Sequence, residues 1–414
     1  MINYFYDCYC ILNKVYSDKT YLKQAITNSI IEEKNRALTI KTVYGVLERD
    51  IELSYYIKSL TEKSPKLAVR TILKISMYAI KYLGKKPYAV TENAVELTKK
   101  LGKKGASGFV NAFLRNFLRQ EVKFPTDETE YLSVKYSYPS FAIKRLINDF
   151  GKERTEKIIS ANAPETCVVF YDIDGENYLK EKGVSYQKTP YENVFFVKNF
   201  VRDEGFDKGL YTFQSIGSVA ICEGVEPCEK LLDCCSAPGG KSIRLSYKCK
   251  EVVATELHEH RVELIRSYAR RMNRENVLIY NADATEFNVN FNESFDAVLC
   301  DVPCSGLGVV GDNPDIKLNR EESSILELND TQLKILNNAC KYVKKGGYLY
   351  YSTCSVLKCE NIEIINKFLK ENHDFIIEPA SSKLGCTEMN GTLAFLPDVS
   401  CGVGFYFAKL KRVK

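Results

Sequence analysis

Apolar residues recur at two different periods along this chain, and the change from one to the other divides it. From Ile2 to Leu118 the spacing is helical. Phe109, Val110, Phe113, Leu114, Phe117 and Leu118 form one stripe, with Arg115 and Arg119 off its centre. A second helix is expected from Ser64-Pro65 through Val69, Ile72, Leu73, Ser76 and Ile80. A third should open at Pro87 and run through Val90, Ala94 and Leu97, because the fixed φ of proline suits a first helical turn. Gly45, Gly84 and Gly102 punctuate the run. The pattern predicts an all-α bundle of six or seven helices over residues 1–130.

Between residues 131 and 228 the pattern is mixed. A turn at Tyr136-Ser137-Tyr138-Pro139-Ser140 leads into a helix expected over 141–150, and another follows over 153–161. Short β-rich runs at 167–171 and 194–197 are separated by polar stretches, and a helix is expected at 216–224. These elements predict a small α+β linker domain. From 229 to 414 strands and helices alternate. Strands are expected at 229–235, 251–256, 277–281, 295–301, 348–352, 375–378 and 403–410, with helices at 259–272, 331–343 and 361–369. That order predicts an α/β, Rossmann-like domain with a mostly parallel sheet and helices on both faces. Ligands then sit beyond the carboxyl ends of the strands.

Composition narrows the setting. The 414 residues are 45% hydrophobic, enough for several packed cores. No apolar run reaches the roughly 18 residues of a membrane span, and the first residues lack the features of a secretory signal. Fifteen cysteines without scaffold spacing suit free thiols in a cytosolic, monomeric protein. With three histidines, and with Cys8 and Cys10 too close for a ligand pair, no metal is expected. Net charge is +5, unevenly spread: residues 1–130 carry 22 Lys+Arg against 14 Asp+Glu, the remainder 36 against 39. A basic first third suits a polyanion partner, or simply well-solvated helices. Lys99, Lys100, Lys103 and Lys104 are either a solvated loop or an edge that meets phosphates.

The candidate chemistry lies in the last half. Leu231 to Leu245 reads as a strand, a turn at Pro238-Gly239-Gly240 and a helix opened by Lys241, a common site for a nucleotide-like ligand and also a common turn. Three carboxylates at successive strand ends favour the ligand. Glu256, 23 positions after Asp233, suits ribose hydroxyls; Asp283 could meet an adenine amino group; Asp301 ends the fourth strand. No Gly-x-Gly-x-x-Gly is present, and Cys235 stands where a phosphate loop needs glycine. A nucleoside without phosphates remains, and S-adenosylmethionine is the common one. Cys304 and Cys354 follow two strands at matching places, as reactive thiols or as small buried hydrophobes. Beside that cofactor a thiol has a use: adding to carbon 6 of cytosine, it activates carbon 5 for methylation. Asp301 is placed to stabilise charge on ring nitrogen 3, and the base must be turned out of its stack.

These motifs resemble a known family. Asp233 to Lys241 (Asp-Cys-Cys-Ser-Ala-Pro-Gly-Gly-Lys), Asp301 to Gly306 (Asp-Val-Pro-Cys-Ser-Gly), Asn313-Pro314-Asp315-Ile316-Lys317 and Thr353-Cys354-Ser355 are similar to the RsmB/Sun (Fmu) rRNA cytosine-C5 methyltransferases. Asn35-Arg36-Ala37, Gly45-Val46-Leu47, Pro87 to Glu92, and Asn111 to Arg115 resemble the NusB-type RNA-binding domain that heads that family. The resemblance implies Cys354 as nucleophile and Cys304 as the group that helps release product. It places S-adenosylmethionine against Cys235, Ser236, Ala237, Pro238, Gly239, Gly240, Lys241, Glu256, Asp283 and Asp301, with Lys241 also reaching the active site. It implies 16S rRNA as partner, with cytosine 967 as the family target, and no membrane. The same chemistry on tRNA or another RNA, and a non-catalytic RNA-binding or assembly factor, are the rival readings. The chain departs from the family in four places. Gly311 and Asp312 stand where two arginines are usual, and Val168 to Asp174 lacks an Arg-Val-Asn run. Ser215 replaces an aspartate, and Val403-Gly404-Phe405-Tyr406 replaces Asp-Gly-Phe-Phe.

Overall fold

The computed structural model describes residues 2–414, with side chains from Tyr4 onward; Met1, where the expected first domain begins, lies outside the described residues. The chain divides into two compact units. One comprises Met1–Asn148 with Asn313–Arg320, the other Asp149–Asp312 with Glu321–Lys414. The stretch 131–228 is thus shared between them.

The first unit is helical: α1 (Ile2–Ser17), α2 (Leu22–Thr27), α3 (Glu33–Glu48), α4 (Asp50–Leu60), α5 (Leu67–Lys81), α6 (Pro87–Lys100), α7 (Ser107–Arg119), α8 (Glu128–Tyr136) and most of α9 (Ser140–Phe150). Helix α5 is buried on almost every side from Val69 to Ala79, which makes it the central helix. Its Lys74 is buried too and meets Asp50 at 2.6 Å, pairing the charge that burial would otherwise penalise. Gly84 and Gly102 end helices in the left-handed region as expected. Gly45 does not punctuate: it lies inside α3, where an added Cβ would stand 1.9 Å from the Tyr78 hydroxyl. The expected α7 stripe is narrower than read, since Phe109 and Leu118 are 40% and 47% exposed while Val110, Phe113 and Leu114 are buried.

The octapeptide Asn313–Arg320, inside the stretch read as catalytic, clusters with this bundle and caps its helices. Asp315 Oδ2 accepts from Leu22 N–H at the start of α2 (3.1 Å). Lys317 Nζ donates to Glu48 O at the end of α3 (2.9 Å) and to Ser137 O (2.8 Å). Burial pulls the Lys317 ammonium down to about 8.

The second unit holds two sheets. After α10 (Lys152–Ser160), β1 (Cys167–Phe170), α11 (Gly175–Glu181), β2 (Tyr186–Lys188), β3 (Val194–Val197), α12 (Glu204–Asp207) and β4 (Tyr211–Phe213) form a small antiparallel sheet of order β2-β3-β1-β4. Period-two alternation sends Val168 and Phe170 to one core and Cys167 and Val169 to another. The large sheet follows α13 (Ile216–Gly224). It contains β5 (Lys230–Asp233), α14 (Gly240–Leu245), β6 (Glu251–Glu256), α15 (Glu259–Arg271), β7 (Val277–Asn281), β8 (Phe295–Asp301) and α16 (Glu322–Ala339). Then come β9 (Val343–Thr353), α17 (Ile362–Glu371), β10 (Phe375–Ile377), β11 (Thr387–Met389), β12 (Thr392–Phe395) and β13 (Phe405–Arg412). Its order is β11-β12-β13-β9-β8-β5-β6-β7, with β10 on β13. Strands β9 to β7 are parallel, and β10 to β13 add an antiparallel flank that the alternation did not reveal. Helix α16 begins nine residues before the expected 331, at a capping box between Glu321 and Ser324.

Candidate active site

Strand β5 lies between β6 and β8, both parallel to it, so the strand order reverses there and a crevice opens at the carboxyl ends. Leaving β5 at Asp233, the chain turns into α14 through Gly239. That glycine has φ +104°, and an added Cβ would stand 3.2 Å from Ile265 Cγ2, so both conformation and space select it. The turn is braced from within. Gly239 N–H donates to Ser236 O (2.7 Å), Ser236 donates to Thr255 O through N–H (3.0 Å) and Oγ (2.8 Å), and Ser242 Oγ donates to Asp233 Oδ2 (2.6 Å). Burial pushes the Asp233 carboxyl up to about 7.

Around this turn is a cavity of about 320 Å³. Of the residues expected from sequence, Cys235, Ala237, Glu256, Asp283, Asp301, Cys304 and Cys354 line it. Ser236 is turned back toward β6, and Pro238 to Gly240 shape the turn without lining the cavity. Lys241 reaches its edge through Asp301, with Nζ 2.7 Å from Oδ2. Sequence reasoning missed Arg261. Its guanidinium donates to Glu256 Oε1 (3.2 Å) and to Ala237 O (3.3 Å), joining the ends of β6 and β5. It missed Leu257 and His258, and Thr331 and Ile335, one turn apart on α16. Their signal was helical spacing, hidden because the apolar wall comes from a helix distant in sequence.

Strand register brings the two cysteines together. Asp301 pairs with Ser352 across β8 and β9, and Val302 N–H donates to Ser352 O (3.1 Å), so the chain leaves both strands at one level. Cys304 Sγ and Cys354 Sγ are 3.2 Å apart, and Cys354 N–H lies 3.3 Å from the Cys304 sulfur. Asp301 Oδ1 accepts from Ser352 Oγ (2.7 Å). Burial works to lower Lys241, but Asp301 outweighs it and holds the ammonium above the usual lysine range; Lys241 also feels Cys354. Cys304 is held well above the usual thiol range, first by its hydrogen bond with Cys354, then by burial and the Glu360 carboxylate. Cys304 is therefore held in its protonated form, and Cys354 is the less buried of the two sulfurs.

One departure from the family pattern, Gly311, and one glycine that matches it, Gly404, find a physical setting. An added Cβ at Gly311 would come within 2.9 Å of Pro164 Cδ, so position 311 has no room for a longer side chain as the chain stands. Gly404 N–H donates to Gly308 O (2.7 Å), and Gly308 N–H donates to Cys354 O (2.9 Å), which ties the loop after β8 to the cysteine. Among the described residues no group of three or more His, Cys, Asp or Glu is arranged to hold a metal ion, and no helix is long and apolar enough to cross a membrane.

Known proteins resemble this chain over nearly its whole length. Residues 223–411 match the family model described as 16S rRNA methyltransferase RsmB/F, and residues 6–119 match the NusB family. The probable ribosomal RNA small subunit methyltransferase B of Bacillus subtilis (strain 168) is 32% identical over 97% of this chain and 95% of its own. The ribosomal RNA small subunit methyltransferase B of Photorhabdus laumondii is 28% identical, over 92% of each chain. Among solved structures, the crystal structure of PH0851 shares the fold with a TM-score of 0.85, at 21% identity over 99% of this chain and 98% of that one.

Proposed function

The chain belongs to the RsmB family of 16S rRNA methyltransferases, with S-adenosylmethionine as cofactor, and from that premise we propose that it methylates carbon 5 of a cytosine through a covalent cysteine adduct. The observation that carries this reading is the 3.2 Å between the Cys304 and Cys354 sulfurs, on the wall of a cavity that also presents three carboxylates.

The residues fit the cofactor. Glu256, fixed by Arg261, would take the ribose hydroxyls, Asp283 the adenine amino group, and Leu257 and Ile335 the apolar faces of the ring. The turn from Cys235 to Lys241 would hold the amino-acid end. Bound there, S-adenosylmethionine supplies an electrophilic methyl group.

This chain's own groups do the rest. Cys354 Sγ adds to carbon 6 of the flipped cytosine and raises electron density on carbon 5, which is otherwise a weak nucleophile. As negative charge develops on the ring, Asp301, held on one side by Lys241 and on the other by Ser352, passes a proton drawn from the Lys241 ammonium to ring nitrogen 3. After methylation the carbon-5 proton departs to water, ring nitrogen 3 gives its proton back to Asp301, the 5–6 double bond re-forms and the bond from carbon 6 to sulfur breaks. Cys304, with its firmly held proton, donates to the leaving sulfur. The target assigned is cytosine 967 of 16S rRNA, with residues 1–130 gripping the RNA, 131–228 adding contacts and 229–414 performing the chemistry. Bisulfite sequencing of total RNA from cells with and without the gene tests this. One 16S cytosine should lose its protection in the deletion strain; an unchanged 16S pattern, or loss only in tRNA, would overturn the target.

A further inference from the structure

The two cysteine loops are joined by a carboxylate that the reaction does not itself use. Glu360 is fully buried. Its Oε1 accepts from Ser305 N–H (2.7 Å) and from Gln332 Nε2 (3.2 Å); its Oε2 accepts from Ser305 Oγ and from Ser355 Oγ, each at 2.5 Å. Ser305 and Ser355 are the residues directly after Cys304 and Cys354, and their hydroxyls are 3.1 Å apart. Gln332 also donates to Pro303 O (3.0 Å), directly before Cys304. The backbone is held as well, since Tyr351 Oη donates to Glu360 O (2.6 Å). A single anionic side chain therefore fixes both sulfur-bearing loops at once. Buried charges persist where every lone pair is engaged, and four donors engage this one.

We infer that Glu360 is a positioning residue that sets the spacing of the two sulfurs and helps to keep Cys304 protonated, and so times release of the methylated base. The inference rests on the covalent mechanism above. Its electrostatic part follows from the surroundings. Cys304 faces Cys354 at the end of β9, Tyr351 within β9 and Glu360 beyond it, while Gln332 on α16 is neutral. The nearby cation, Lys241, is paired with Asp301 and faces Cys354. After the hydrogen bond with Cys354, burial and the charge of Cys354, Glu360 is the carboxylate that adds to the resistance of Cys304 to ionisation. Removing the charge should lower the pH at which Cys304 ionises. A Cys304 that ionises too readily no longer donates to the leaving sulfur.

The test is Glu360→Gln in the full chain, which keeps the shape and two acceptor lone pairs but removes the charge. Two readouts are needed. The first is alkylation of Cys304 by iodoacetamide across pH, mapped by peptide mass spectrometry, which needs no turnover. Its midpoint should move to lower pH in Glu360→Gln and stay near that of the parent in Glu360→Asp. The second is methylation of 16S rRNA. In Glu360→Gln, kcat should fall about 10- to 100-fold, the alkaline limb of the pH profile should move to lower pH, and the RNA–protein adduct should accumulate, with the KM for S-adenosylmethionine unchanged. A purely structural role would lower kcat without moving either midpoint. An unmoved Cys304 midpoint in folded Glu360→Gln overturns the proton-holding role, and unchanged kcat overturns the positioning role. If Glu360→Gln does not fold, Ser355→Ala, which keeps the charge, should lower kcat without moving the Cys304 midpoint; a moved midpoint there would overturn the assignment. Absence of any adduct in the parent enzyme would tell against the covalent mechanism instead, and the alkylation result would still stand.

Discussion

Two of the thiol pairs in the second unit share nearly the same geometry at opposite edges of one sheet. Cys304 and Cys354 lie past the carboxyl ends of β8 and β9 with sulfurs 3.2 Å apart; Cys228 and Cys249 lie before β5 and β6 with sulfurs 3.5 Å apart. Their surroundings share two features. In each pair one thiol keeps its proton, first because it is hydrogen-bonded to its partner and also because a carboxylate stands near, Glu360 for Cys304 and Asp296 for Cys228. In each the other thiol is close to a lysine, Lys241 for Cys354 and Lys248 for Cys249. Cys249 is lowered to about 7, chiefly by the hydrogen bond from Cys228. What separates the pairs is space. Cys304 and Cys354 border the cavity that also holds Glu256, Asp283 and Asp301, whereas Cys228 and Cys249 do not line it. Pairing two thiols is therefore the easier part of the design; under the proposed mechanism, a pocket at the carboxyl edge of a parallel sheet is what would make one of them a catalyst.

The largest expected effect comes from the cavity pair. Cys354→Ser should cut methyl transfer about 10⁴-fold or more, because a hydroxyl does not add to carbon 6 at neutral pH. S-adenosylmethionine binding, measured by calorimetry, should stay within about twofold, since Cys354 forms only part of the cavity wall. Retained turnover would move the nucleophile elsewhere and dissolve the contrast. Cys304→Ser comes next. Turnover should fall about 10²- to 10⁴-fold, with the RNA remaining attached through Cys354 on denaturing gels. A mutant complex that dissociates freely would remove Cys304 from the release step.

Sequence carried much of this and stopped at identifiable places. The carboxylates Glu256, Asp283 and Asp301 and the cavity cysteines Cys304 and Cys354 were legible because a parallel sheet obliges strand ends to share one edge, so order along the chain predicts proximity. The motifs then separated Cys354 from the eleven cysteines that do not line the cavity. Arg261, Thr331 and Ile335 were not legible. Their contributions depend on how α15 and α16 rotate over the sheet, and tertiary packing sets that rotation. Glu360 was the least visible, an ordinary glutamate in a short turn whose meaning comes from which two loops it faces. Gly45 was misread for a related reason. A glycine in a helical run normally signals a break, but here Tyr78 occupies the volume a side chain would need. The placement of Asn313–Arg320 with the bundle was equally hidden, since Asp315 and Lys317 serve helix ends more than 170 residues away in the chain, as the bond from Lys317 to Ser137 shows (separation 180).

The smallest expected effect tests the other side of the comparison. Cys228 is partly buried, and its sulfur reaches the buried Cys249. A serine hydroxyl in its place can still donate to Cys249, so the hydrogen bond that lowers the Cys249 thiol survives in weakened form. Cys228→Ser should therefore change stability by less than about 1 kcal/mol in urea unfolding and leave methylation of 16S rRNA within about twofold, because the site has no contact with the cavity through which a small shift would be felt. The thiol count by alkylation at pH 7 should fall in the variant, as Cys249 loses part of the bond that favours its ionised form. A tenfold loss of methylation in Cys228→Ser would mean that the amino edge of the sheet is coupled to the carboxyl edge through β5. In that case the difference between the two pairs is no longer a matter of pocket alone, and the sheet itself has to be counted among the parts that tune the reactive sulfurs.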